Sequence, residues 1–323
     1  MKSVKNKLIA VIGPTASGKS DCAIRLAKKL HTDVISVDSR QVYKGMNIGS
    51  AKVEGYVDKK EYINIDLDGK KKKVYPFISE GVKHWMIDVA NPVKDIYTLA
   101  DFQDTTYQII FKLFSQGKVP ILCGGSALYM DAVLKGFQIP KTSPKIREEL
   151  EKFSTEELLA ELKKSDPDSY KKVDKKNRRR IVRALESFLV NRTPHLAYKI
   201  KQPKFDYLLI GLNWPRHILY QRIDKRVDER IKQGMIEEVQ SLHQQGISYK
   251  KLYDFGLEYR FCGLYLKNEL TRSDMIQKIK YKIHAFVRRQ LTWWRKNKDI
   301  NWFDFSDNNV CHQVHSKVDE FLK

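Results

Sequence analysis

Long hydrophobic runs are missing from this chain. No stretch approaches the ~18 apolar residues that a membrane-spanning helix needs, so no membrane contact is expected. The N-terminus is basic (Lys2, Lys5, Lys7), but the apolar run behind it, at 8–12, is too short for a secretory signal. A cytoplasmic location is therefore expected. Cysteine is scarce as well. Cys22, Cys123, Cys262 and Cys311 are the only 4 in 323 residues, and none of them share Cys-x-x-Cys spacing. That argues against a disulfide scaffold or a zinc ribbon. Cys311, His312 and His315 read as ordinary residues of a polar tail rather than as metal ligands. The third shortage is acidic charge: 39 Asp+Glu stand against 60 Lys+Arg, a formal excess of +21. A protein of small metabolites has no use for that excess. A long polyanion has, because each phosphate neutralised releases condensed counterions. Interleaved aromatics point to nucleic acid.

The strongest positive feature follows the first apolar run. Gly13-Pro14-Thr15-Ala16-Ser17-Gly18-Lys19-Ser20 has the spacing G-x-x-x-x-G-K-[ST] of a phosphate-binding loop, between a strand-like run and a helix-like one. The glycines let successive N–H groups turn inward onto phosphate oxygens. Lys19 adds charge on the same oxygens, and the Ser20 hydroxyl suits Mg²⁺. The apolar spacing of Cys22, Ala23, Leu26, Ala27 and Leu30 predicts a helix, so the phosphate would sit at a helix N-terminus.

Further strand-like runs occur at 33–37, 119–123 and 205–212, and a helix is predicted over 99–116. Alternating strands and helices predict an α/β fold: a P-loop NTPase-like parallel sheet flanked by helices. Its ligands would lie beyond the carboxyl ends of the strands, where the loop, Asp38 and Gly124-Gly125-Ser126 all fall. The first part of this core spans 1–136. Residues 54–82 read as a protruding hairpin inserted in it: 62–67 alternates, Asp68-Gly69 is a turn signal, and 70–78 returns with Lys70, Lys71, Lys72 and Lys73 near the tip. Residues 137–203 read as an all-helical insertion. Ser143-Pro144 starts one helix, Ser154-Thr155-Glu156-Glu157 is a capping box for the next, and Asp166-Pro167 precedes a third. The last part, 204–323, returns to the sheet and ends in helices, with Arg222, Arg226 and Arg230 recurring on one face.

Asp38 is the carboxylate of most interest. Beside a phosphate loop it can hold Mg²⁺ through water or take a proton from a nucleophile; a helix N-cap is the plainer alternative. The helix around 286–296 mixes Arg288, Arg289, Arg295 and Lys296 with Trp293 and Trp294. That mixture suits RNA contact, or equally a core helix with a basic outer face.

Read in order, these elements resemble the bacterial tRNA dimethylallyltransferases. The resemblance rests on residues 13–20, Asp38-Ser39-Arg40-Gln41-Val42-Tyr43, Asn47-Ile48-Gly49-Ser50-Ala51-Lys52, Tyr97-Thr98-Leu99-Ala100-Asp101-Phe102 and Gly124-Gly125-Ser126-Ala127-Leu128-Tyr129. It continues through Arg179, Arg183, Gly256-Leu257-Glu258-Tyr259-Arg260 and Arg289-Gln290-Leu291-Thr292-Trp293-Trp294-Arg295. It implies transfer of a dimethylallyl group from dimethylallyl diphosphate to N6 of adenosine 37, in tRNAs reading codons that begin with U. Diphosphate leaves and Mg²⁺ assists. By the same resemblance, Asp38 is the base for N6, with Lys19 and Ser126 (where the family usually has Thr) also catalytic. Residues 13–20 and Arg260 would hold the diphosphate, with Lys52 a weaker candidate, and Ser20 the metal. Ser39, Arg40 and Gln41 would hold the extruded base region, with Asp38 and Ser126. Arg147, Arg179, Arg180 and Arg183 would grip the anticodon stem-loop. A monomer is the default. The chain departs from the family in having one His at Lys83-His84-Trp85, a longer 54–82 segment, and Phe261 where many members carry Gln. The alternatives are the same transfer to free adenylate, or a P-loop small-molecule kinase.

Overall fold

The computed structural model describes residues 6–67, 69–191 and 205–323. The chain divides into two compact units, one formed by 1–134 with 204–323 and the other by 135–203.

In the larger unit, β1 (Lys7–Ile12) leads into the glycine-rich loop and α1 (Lys19–Leu30) leaves it, followed by β2 (Val34–Ser36). Then come β3 (Tyr56–Val57), β4 (Ile63–Leu67), β5 (Lys70–Val74), β6 (Phe77–Ser79) and β7 (Val82–Trp85). α2 (Leu99–Ser115), β8 (Ile121–Gly124) and α3 (Ala127–Lys135) close the first segment. The smaller unit carries α4 (Pro144–Leu150), α5 (Thr155–Ser165), α6 (Pro167–Lys172) and α7 (Arg178–Asn191). The chain then returns to the larger unit through β9 (Asp206–Asn213), α8 (Arg216–Lys232) and α9 (Met235–Gln244). α10 (Tyr249–Phe255), α11 (Leu257–Leu266), α12 (Arg272–Trp294), β10 (Asn301–Asp304) and α13 (Val310–Leu322) complete it.

The main sheet has the order β10-β9-β1-β8-β2-β7-β6-β3. From β10 to β7 every pairing is parallel; β6 and β3 add an antiparallel edge. In β1, Leu8, Ala10 and Ile12 enter one apolar cluster, while Ile9 and Val11 enter another. The strand period of two thus feeds a core on each face of the sheet. α1 covers one face with Cys22, Ala23, Leu26 and Ala27. α2, α8, α11 and α12 contribute to the other. Among the described residues no helix is long and apolar enough to cross a membrane.

The helix starts read from the sequence are present. Ser143 caps α4 with Pro144 in its first turn, Ser154 and Glu157 form the capping box of α5, and Asp166 caps α6. α2 adds a second capping box, between Thr98 and Asp101.

The 54–82 segment needs correction. β4 and β5 do pair as a hairpin (Asp68 lies outside the described residues), but β5 ends at Val74. The chain then enters the main sheet as β6, paired with β7. The hairpin does not simply protrude. Ile63, Ile65 and Val74 are buried in the core, and Gln108 of α2 exchanges two hydrogen bonds with the Asp66 backbone. Lys72 lies over the Tyr97 ring, and burial lowers the pKa of its amine. β7, which the sequence reading missed, lies beside β2; it is short, and its polar Lys83 and His84 hide the strand pattern.

Candidate active site

The loop at 13–20 is shaped by its backbone. Gly18 lies at φ +88°, where a side chain would be strained, and Ala16 takes the left-handed region at φ +62°. This turns the chain into α1, whose first N–H groups have no partner within the helix. Three side chains from the C-terminal half pin the loop from outside. Gln290 Oε1 accepts from the Thr15 N–H at 3.2 Å, Arg222 Nε donates to the Ala16 carbonyl at 3.0 Å, and Trp214 Nε1 donates to the Ser17 carbonyl at 3.0 Å. The Arg222 guanidinium also lies over the Trp214 ring, 4.4 Å from its centroid. Gln290 is buried, and its Nε2 donates to the Gly125 carbonyl at 2.8 Å. One amide therefore ties the loop to the turn after β8.

A cavity of about 440 Å³ opens over these elements, lined by the loop from Thr15 to Ser20, by Asp38 and Gln41, and by Gly124, Gly125 and Ser126. Gly124 permits the close approach of β8 to the Asp38 segment: a Cβ there would stand 2.0 Å from the Val37 carbonyl oxygen. Val53, Ile87 and Phe286 add apolar surface to the cavity lining.

Asp38 combines the two roles weighed from the sequence. Its Oδ1 accepts from the N–H groups of Arg40 (2.7 Å) and Gln41 (3.3 Å), so it caps a turn, and it also lines the cavity. Ser126 Oγ accepts from the Ser39 N–H at 3.4 Å. Gln41 is fixed at both ends of its amide: Ser36 Oγ donates to Oε1 at 2.8 Å, while Nε2 donates to the Ser50 and Ala51 carbonyls. The loop carrying those carbonyls is anchored by Glu238. Its carboxylate accepts from the N–H groups of Asn47 (2.9 Å), Ile48 (2.7 Å) and Gly49 (3.0 Å), and from the Tyr259 hydroxyl at 3.1 Å.

Four cations line the cavity, Lys19, Arg222, Lys225 and Arg226, against three carboxylates, Asp21, Asp38 and Glu229. Lys19 Nζ donates to the Pro14 carbonyl at 2.6 Å. Burial lowers the pKa of its amine to about 8. Arg222, Lys225 and Arg226 line the same space from α8. Burial, with Arg230 nearby, lowers the Arg226 guanidinium to about 10. Cations held below their usual range mark a site where an anion would restore favourable charge. The α8 arginine periodicity was visible in the sequence, but only the sheet packing aims Arg222 and Arg226 at the loop. Arg230, the next in the series, is instead buried on Glu258 at 2.7 Å.

Two proposed diphosphate partners lie elsewhere. Arg260 does not line the cavity; its Nε donates to the Tyr253 carbonyl at 3.0 Å and its guanidinium covers the Tyr253 ring. Lys52 is held by the Tyr43 carbonyl, Asn47 Oδ1 and Asp88. Both were expected from the family resemblance, which fixes no distances. On α12, Trp294 is buried, whereas Trp293 is partly exposed with its Nε1 on Asp131. Arg288 donates to the Tyr220 hydroxyl. α12 is a core helix with a basic outer face.

In the smaller unit, Arg179, Arg180 and Arg183 line one hollow of about 490 Å³ together with Lys172. Arg147 does not line it. Arg147 and Arg183 share the buried carboxylate of Glu186, at 2.8 Å and 3.0 Å. Burial alone would raise the Glu186 pKa, but the hydrogen bonds from these arginines and the Ser143 N–H together hold it below the usual range.

The family described as IPP transferase matches residues 41–297. The chain belongs to the IPP transferase family. A second family, described as isopentenyl transferase, matches residues 6–65. The tRNA dimethylallyltransferase 2 of Citrifermentans bemidjiense is 37% identical, the match covering 95% of this chain and 94% of that one. The full-length tRNA isopentenylpyrophosphate transferase of Bacillus halodurans superposes with a TM-score of 0.68 at 31% identity, over 98% of this chain and 97% of its own. A eukaryotic dimethylallyltransferase acting on tRNA, at 24% identity and TM-score 0.78, shares the fold over 98% of this chain and 79% of its own. This IPP transferase fold therefore spans both units of the chain.

Proposed function

We propose that this protein transfers a dimethylallyl group from dimethylallyl diphosphate to N6 of adenosine 37 of tRNA, in tRNAs that read codons beginning with U. The observation that carries the reading is the shared cavity of Asp38 and the phosphate loop, in a chain of this family. The N6 nitrogen attacks C1, the new N6–C1 bond forms as the C1–O bond breaks, and diphosphate leaves. Asp38 accepts the N6 proton. Its second oxygen remains for the base, because the capping contacts are both to Oδ1. Lys19, Arg222, Arg226 and the loop N–H groups take up the charge that grows on the leaving oxygen. The apolar lining residues Val53, Ile87 and Phe286 offer contacts to the five-carbon chain. Ser126 holds the Ser39 segment, and with it Arg40 and Gln41, in the orientation that receives the extruded adenosine.

The donor set fits a hard cation such as Mg²⁺. The Ser20 hydroxyl and the Asp38 carboxylate line the same cavity, and the nearby Ser17 hydroxyl is buried without a hydrogen-bond partner. Among the described residues no group of three His, Cys, Asp or Glu gathers to hold a metal. Ser20 would therefore hold the ion jointly with substrate phosphate oxygens. When bound, it neutralises charge on the diphosphate.

The +21 excess and the arginine-lined hollow of the smaller unit support tRNA over a free nucleotide, with Arg147, Arg179, Arg180 and Arg183 as phosphate contacts. The deciding experiment supplies labelled dimethylallyl diphosphate and Mg²⁺ with either a tRNA containing A36-A37-A38 or free AMP. Label in tRNA alone is expected. Label in AMP alone, or hydrolysis of ATP instead, would overturn the reading.

A further inference from the structure

Beside Asp38 the surface is both aromatic and cationic in a way that the transfer chemistry does not use. Arg40, whose N–H donates to Asp38 Oδ1, extends its guanidinium over the Phe255 ring, 5.3 Å from its centroid, and to 3.5 Å from the Asp254 carbonyl. The neighbouring Tyr253 is 47% exposed. Gly256, at φ +77°, turns the chain sharply between α10 and α11, and this brings Arg260 back over Tyr253. The Arg260 guanidinium sits 4.0 Å from the centre of the Tyr253 ring while its Nε bonds the Tyr253 carbonyl. Arg40 and Arg260 are thus held by carbonyls and rings, and among the described residues neither is in an ion pair with a carboxylate.

A large exposed aromatic normally costs solvation and ordering without return. Here it is pre-ordered by a guanidinium on one face, which makes a flat, positive π-surface. Extraction of an adenosine from its stack costs a few kcal/mol and leaves the faces of its neighbours bare. Stacking one base on an aromatic side chain recovers ~1–3 kcal/mol.

We propose that Tyr253 and Arg260 form a stacking subsite for the unpaired RNA base next to the reacting adenosine, with Arg40 on the intervening phosphate. This rests on the reading of tRNA as substrate. The contiguous path Asp38–Arg40–Asp254–Tyr253–Arg260 carries the assignment. It also gives Arg260, which lies outside the phosphate cavity, a role in the same reaction.

The test is a double-mutant cycle between protein and RNA. Binding of the full-length protein to an anticodon stem-loop is measured by fluorescence anisotropy, for wild type, Tyr253→Ala and Tyr253→Phe. Each protein is tested with intact RNA and with RNAs made abasic on the 5′ or the 3′ side of the target adenosine. Tyr253→Ala should weaken binding to intact RNA by roughly tenfold, and Tyr253→Phe by less than about threefold, because the ring is retained. With one of the two abasic RNAs, wild type and Tyr253→Ala should bind alike. If Tyr253→Ala binds intact RNA within twofold of wild type, or if both abasic RNAs leave its deficit in place, the subsite is refuted. Wild-type turnover on tRNA is measured in parallel. Its absence would overturn the substrate reading itself, whereas turnover with no coupling overturns only the subsite.

Discussion

Gln290→Met separates the pinning of the phosphate loop from its chemistry. Methionine nearly matches glutamine in volume, so packing on α12 is preserved, but both polar contacts disappear. The Thr15 N–H and the Gly125 carbonyl are then left without partners at a site where Gln290 is only 4% exposed. Each unsatisfied group costs about 1–3 kcal/mol, so the loss from the two is about 2–6 kcal/mol, towards the lower end if cavity water reaches one of them. For a domain this large, each kcal/mol lowers Tm by roughly 2–4 °C, so a fall of at least about 4 °C is expected by scanning fluorimetry. The freed loop must also be reordered by the ligand. Pyrophosphate affinity, read by titration calorimetry with Mg²⁺, should therefore fall by about tenfold while affinity for the stem-loop changes little. Gln290→Glu sharpens the test. It keeps an acceptor for Thr15, but turns a carboxylate oxygen towards the Gly125 carbonyl and adds negative charge beside the loop. Its pyrophosphate affinity should be lower than that of Gln290→Met. A methionine variant with unchanged Tm and pyrophosphate affinity would refute the view that this amide holds the loop in its binding shape.

Asp38→Asn keeps Oδ1 as an acceptor for Arg40 and Gln41, so the turn should survive while turnover falls by ~10²–10⁴; near-normal single-turnover rates would remove Asp38 as the base. Lys19 must be protonated to bind diphosphate, and its free-state pKa is about 8. Pyrophosphate affinity should thus be level in this group below pH 8 and fall up to about tenfold per pH unit above it. Lys19→Arg, compared over the same range to cancel the ligand's own ionisation, should abolish that fall, and an identical slope in both proteins would count against Lys19. Glu238→Ala removes three backbone contacts from the 47–49 turn and should cost about 2–4 kcal/mol. Because that loop carries the carbonyls that orient Gln41, KM for tRNA should rise more than KM for dimethylallyl diphosphate, and equal changes in both would show that the loop acts only on stability.

Much of the architecture was legible because it is encoded locally. The phosphate loop depends on backbone freedom at Gly18 and on a strand before and a helix after, all within twenty-odd residues. The caps at Ser143, Ser154 and Asp166 are each satisfied within three residues of the capping side chain. β1 and β8, read as buried runs, pair directly with each other. The 54–82 segment was misjudged for the complementary reason. Period-two alternation marks a strand but not its partner, and 70–78 is divided between two sheets, β5 pairing with β4 and β6 with β7.

By itself, then, the sequence determined the α/β class, the phosphate loop, the basic character and the order of motifs that marks the family. These rest on local backbone preference, on periodicity and on composition. Only the tertiary structure decided which cations face the loop. Arg222 and Arg226 are far from it in sequence yet line its cavity, while Arg260 and Lys52 are held elsewhere. It also decided that Gln290, unremarkable in a basic helix, joins Thr15 to Gly125. The reason is physical. A side chain's electrostatic and hydrogen-bonding role depends on distances of a few ångströms between elements far apart in the chain, and those distances are set by the packing of α8 and α12 against the sheet.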